Sequence, residues 1–71
     1  MDASRQDVSI AGLSPRAQTA LRRALAGRTV TRENVQALTQ RDLFMLVGVG
    51  RRTLNEIVSW AAANGLRFPR G

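Results

Sequence analysis

The chain has no cysteine, no histidine, no lysine and no tyrosine. Without cysteine there is neither a disulfide nor a thiolate metal ligand, a composition that suits a reducing cytoplasm. Without histidine, the side chain that most often moves protons near neutral pH is missing. Acidic residues number five and are scattered: Asp2, Asp7, Glu33, Asp42 and Glu56. Neither a His-based acid/base pair nor a metal cluster can be built from such a set. No catalytic residue, metal or cofactor is therefore expected, and the chain is not read as an enzyme. Aromatics are limited to Phe44, Trp60 and Phe68, too few for the stacking platforms that hold single strands. No apolar run reaches the ~18 residues of a membrane span. Residues 1–6 are short and polar, unlike a secretion signal. The expected location is the cytoplasm, with no membrane partner.

What the chain has instead is arginine. All eleven basic residues are Arg, and the net charge is +6. A balance of this kind favours a polyanionic partner. Guanidinium groups suit phosphate forks and narrow minor grooves better than ammonium groups do. With 71 residues there is one small domain, which buries roughly 60% of its unfolded surface.

The most informative stretch is Leu46-Val47-Gly48-Val49-Gly50-Arg51-Arg52-Thr53-Leu54-Asn55-Glu56-Ile57. It reads as a helix end, a tight glycine turn and the start of the last helix. Gly48 and Gly50 can take positive φ and leave no Cβ between backbone and ligand. Val47 and Val49 are expected to tuck inward and hold the turn. The free amides of the following helix, near Gly50, Arg51 and Arg52, would form an anion site at the positive end of its dipole. Arg51 and Arg52 stand where that dipole disfavours cations, which points to a negatively charged partner such as nucleic-acid phosphate. A Gly-x-Gly turn between helices is also often only a turn. The pattern of hydrophobic residues around the glycines, followed by an Arg-rich helix start, has the form of a helix-hairpin-helix element.

Taken in order, residues 1–7 read as a flexible arm, 8–68 as the domain and 69–71 as a tail. Val8, Ile10 and Leu13 are expected to lie extended across the core. Ser14-Pro15 is a helix start, Ser as N-cap and Pro at the first helical position. A first helix over 15–26 carries the apolar stripe Ala17, Ala20, Leu21, Ala24 and Leu25, and Gly27 stops it. Thr31 caps a short helix over 32–38 that buries Val35 and Leu38. Thr39 caps a third over 40–46, with Asp42 placed for a capping box and Leu43, Leu46 and Phe44 turned inward. The fourth spans 51–64, with Leu54, Ile57, Val58 and Ala61 inward and Gly65 at its end. Leu66 and Phe68 fold back over the core. Trp60 is expected in or at the edge of the core, Met45 as filler, and Arg22, Arg23, Arg32 and Arg41 on solvated faces.

A faint repeat supports a paired arrangement. Shifted along the chain, Gly12-Leu13-Ser14-Pro15-Arg16 lies over Gly48-Val49-Gly50-Arg51-Arg52, Ala17 over Thr53, and Leu21 over Ile57. Helices 1 and 4 would then present their N-termini on one side, with Arg16 and Arg52 beside two sets of free amides.

Three segments resemble a known family. Leu13-Ser14-Pro15-Arg16-Ala17 followed by Leu21, Leu38-Thr39-Gln40-Arg41-Asp42-Leu43, and Gly50-Arg51-Arg52-Thr53-Leu54-Asn55-Glu56-Ile57 with a closing Gly65-Leu66 are similar to motifs of the C-terminal domain of the bacterial RNA polymerase alpha subunit. The resemblance covers residues 8–68. It implies an all-α, compact four- to five-helix domain with a helix-hairpin-helix-like element. It further implies binding to the minor groove of A/T-rich double-stranded promoter DNA and contacts with RNA polymerase, sigma factor or transcription activators. By position, Arg16 would be the main minor-groove residue. Gly50, Arg52 and Thr53 would meet the DNA backbone, and Glu56 would orient Arg16 or its neighbours. Thr19 stands where the family usually has Asn. The candidate DNA-binding residues are thus Arg16, Thr19, Gly48, Gly50, Arg51, Arg52, Thr53 and Glu56. Two other readings stay open: a protein-docking domain of the same fold without DNA binding, and a non-sequence-specific helix-hairpin-helix clamp on nucleic acid. The chain itself could be an excised domain or a stand-alone protein.

Overall fold

A computed structural model describes residues 8–70, and the expected arm at 1–7 lies outside the described residues. Four helices follow one another: α1 (Pro15–Leu25), α2 (Arg32–Gln36), α3 (Gln40–Phe44) and α4 (Arg51–Ala63). No strand occurs among the described residues, so the domain is all-α.

Local chemistry sets the helix starts. The Ser14 hydroxyl accepts from the Ala17 amide, with Pro15 at the first helical position. Thr31 does the same for α2 through the Asn34 amide. At α3 the Thr39 side chain takes the Asp42 amide while the Asp42 carboxylate takes the Thr39 amide, a complete capping box. The helix ends come earlier than periodicity suggests. Leu38 donates its amide to the Val35 carbonyl, and Leu46 to that of Leu43. These tighter i→i−3 bonds follow α2 and α3, which end two residues earlier than expected; Leu38 is buried and Leu46 half-buried. The end of α1 is unusual: Ala26, a non-glycine, adopts left-handed φ 54° and ψ 44°, and Gly27 follows at φ 86°.

The core is aliphatic. Leu21, Leu25, Val35, Leu43 and Ile57 are its largest fully buried side chains, and α1, α3 and α4 pack on one another around it. Ala17 and Leu21 on α1 and their counterparts in the faint repeat, Thr53 and Ile57 on α4, are all buried. The segments outside the helices complete the enclosure. Val8 and Leu13 are buried from the N-terminal side, and the Val8 amide donates to the Val30 carbonyl. Trp60 is buried and donates its indole N–H to the Ser9 carbonyl at 2.9 Å. From the other side Leu66 and Phe68 close over the core.

Two expectations are corrected here. Arg32 is not a free solvated cation: its guanidinium donates to the Asn64 carbonyl at 2.8 Å and to that of Gly65 at 3.5 Å, satisfying the exposed end of α4. Residues 69–70 are not a loose tail. The carbonyls of Pro69 and Arg70 accept from the amides of Gln40 and Arg41, the first turn of α3, and the Gln40 side chain holds the Phe68 carbonyl. The chain end thereby satisfies donors that α3 cannot satisfy internally.

Candidate nucleic-acid interface

The turn between α3 and α4 is built on Gly48, whose φ of 88° is left-handed and costs an L side chain energy. Gly50 differs from expectation. It sits at φ −95° and ψ −178°, extended backbone open to any residue, and serves as N-cap of α4. The two valines also part company. Val49 packs against the core, whereas Val47 is 90% exposed at the turn. The two differ in burial although both border the same groove. Phe44, expected inward, is likewise exposed at 57%, and Met45 at 70%. Leu43 is buried, whereas Leu46, also expected inward, is half-buried and borders the groove between this turn and α1; α3 is too short to bury a second face.

No side chain caps α4. The first helical bond at this end runs from the Leu54 amide to the Gly50 carbonyl, so the amides of Arg51, Arg52 and Thr53 precede it without an intrahelical acceptor. Arg51 and Arg52 are exposed in that turn. Thr53 is only 7% exposed, the one buried polar residue among the described residues. Its side chain is enclosed at the helix start, so what Thr53 offers a partner is its backbone amide.

The start of α1 is different in kind. Glu56, in the second turn of α4, accepts from the Ser14 amide at 2.6 Å and from the Ser14 hydroxyl at 2.9 Å. The carboxylate thus holds the N-cap residue of α1, two positions before Arg16. Pro15 has no amide to offer, and the Ala17 amide is spent on Ser14 Oγ. The expected pair of free amide sets is therefore unequal: α4 retains its set, and α1 has largely used its own. Thr19 is exposed, and its hydroxyl donates back to the Pro15 carbonyl at 3.0 Å.

Arg16 and the glycine turn meet across one groove of about 360 Å³. One wall is α1, through Pro15, Arg16, Thr19, Ala20 and Arg23; the other is the turn, through Leu46, Val47, Gly48 and Val49. Among the described residues no carboxylate lines it. Comparison with family models, curated proteins and solved structures finds no match. The character of the groove rests on its own residues: two guanidinium groups, a hydroxyl and an aliphatic floor, with the uncapped start of α4 directly beyond Val49.

Of the residues singled out in the sequence, Arg16, Thr19 and Gly48 line this groove. Gly50, Arg51 and Arg52 follow at its edge in the chain, Glu56 works behind Ser14, and Thr53 is enclosed. Arg23 was missed. It stands seven residues after Arg16, the spacing that returns to the same helical face, and that spacing was enough to pair them. Among the described residues, no group of three or more His, Cys, Asp or Glu is placed to hold a metal, and no helix is long and apolar enough to cross a membrane.

Proposed function

We propose that this chain is a double-stranded DNA-binding module of helix-hairpin-helix type, similar to the C-terminal domain of the RNA polymerase alpha subunit and acting in transcription. The observation that carries this reading is the shared groove: Arg16 on α1 and the Gly48 turn face each other across it, with no acidic residue between them. In the proposed complex Arg16 enters the minor groove, where a narrow A/T-rich tract strengthens the negative potential that attracts Arg. The uncapped amides of α4, with Arg51 and Arg52, meet the phosphates of the flanking backbone. Glu56 holds the N-cap of α1 and so fixes the direction from which Arg16 departs. Protein partners of this module would be RNA polymerase, sigma factor or an activator.

A titration of labelled A/T-rich and G/C-rich duplexes at several salt concentrations tests the reading. If three to five phosphates are contacted, log K falls against log salt with a slope of roughly −3 to −4.5. The A/T-rich duplex binds more tightly, since the minor groove distinguishes chiefly A·T from G·C. Equal binding to both duplexes would reduce the function to a non-sequence-specific clamp. One specific observation favours a second reading, a protein-docking domain of the same fold: Phe44 and Met45 are exposed outside the groove. Absence of duplex binding at low salt would select it.

A further inference from the structure

We propose that Val47 is a DNA-contacting residue, an apolar finger that rests on the deoxyribose walls of the minor groove beside Arg16. The inference rests on the DNA reading above and adds to it a contact that carries no charge. Among the described residues Val47 is the most exposed of the large apolar side chains, at 90%, and it stands in the wall of the same groove as Arg16 and Arg23. Leu46 and Val49 line the same wall but are half-buried, Val49 against the core. Val47 is therefore the one apolar side chain of that wall that stands fully out, next to the left-handed Gly48.

The chemistry of that surface selects its occupant. Two arginines on one wall ask for anions, and an aliphatic group on the other asks for a surface without charge. A DNA minor groove offers both within one cross-section, with sugar C–H faces inside and phosphate rows at the rims. Valine is also stiff at χ1, so little side-chain entropy is lost when it is fixed. It is too short to wedge between base pairs as longer apolar residues do, which limits the contact to the sugar walls and leaves the duplex unkinked.

Anisotropy titration of a labelled A/T-rich duplex across a salt series tests this, with four variants whose folding is checked by thermal melting. Val47→Ser is expected to weaken binding by about fivefold, the effect of half-burying one valine side chain. Val47→Ala loses less. Because no phosphate contact is removed, the slope of log K against log salt stays at the wild-type value. Arg16→Ala weakens binding and makes the slope shallower. Met45→Ser, equally on the surface but outside the groove, binds as the wild type does. Wild-type affinity in Val47→Ser, a changed slope in that variant, or an equal loss in Met45→Ser each overturns the role of Val47 while leaving the DNA reading intact. A wild-type chain that fails to bind the duplex at low salt overturns both.

Discussion

Arg16 draws its position from the residues that build the start of α1. Ser14 caps the helix, Pro15 sets its first φ, and Glu56 reaches across from α4 to grip Ser14 by both amide and hydroxyl. An exposed guanidinium on so firmly held a turn can be removed without cost to the fold. Arg16→Ala should therefore lose on the order of 1–3 kcal/mol of DNA binding at an unchanged melting temperature, compared by titration and thermal scan of the same preparations. Ala26 presents the opposite case, an exposed C-cap residue whose backbone amide bonds to the Arg23 carbonyl at a conformational cost. Its left-handed φ of 54° costs an L residue roughly 1–2 kcal/mol. Glycine would remove that strain and return about 0.4–1 kcal/mol as unfolded-state entropy. Ala26→Gly is expected to stabilise the domain by about 0.5–1 kcal/mol, read as a raised midpoint in denaturant titration with the slope unchanged.

At the scale of elements, helix beginnings were legible in the sequence and helix endings were not. Ser14, Thr31 and Thr39 each cap the helix they precede, because a cap is a bond between residues two or three apart. The ends of α2 and α3 depend on where Leu38 and Leu46 find room beneath their neighbours, which no local pattern encodes. The roles of Arg32 and Glu56 join residues 32 and 42 positions apart; the first had no local signal. The glycine turn was legible as a turn but not in its handedness. Two Gly and two Val in alternation look equivalent, yet one glycine is left-handed and the other extended, and one valine packs while the other projects. A pair of substitutions separates the glycines. Gly48→Ala forces a side chain into φ 88° and should cost about 1–2 kcal/mol. Gly50→Ala, extended and with nothing within 4 Å of the added Cβ, should leave the thermal midpoint nearly unmoved. Should Gly50→Ala nevertheless weaken duplex binding, the loss belongs to backbone approach at the start of α4.

For the molecule as a whole, the two ends of the domain matter as much as its helices. Four helices of five to thirteen residues cannot enclose a core unaided. Val8 and Leu13 seal it on one side, and Leu66 and Phe68 on the other. A domain of 71 residues has a total stability of roughly 4–11 kcal/mol. Phe68→Ala should remove about 3–5 kcal/mol of it and also loosen the carbonyls that satisfy the first turn of α3. The expected result is a strongly lowered thermal midpoint by circular dichroism; a cooperative transition near the wild-type midpoint would show that the C-terminal segment is dispensable.

The seal on the N-terminal side also has an optical meaning. Trp60 is the chain's single tryptophan, and its indole N–H is tied to the Ser9 carbonyl. It borders a second hollow, lined with Ser9, Gly12 and Ser59, that shares no residue with the arginine groove. Its intrinsic emission should shift when the N-terminal segment peels away and stay silent when a ligand fills the groove, so one unlabelled sample distinguishes opening of the fold from occupancy of its binding face.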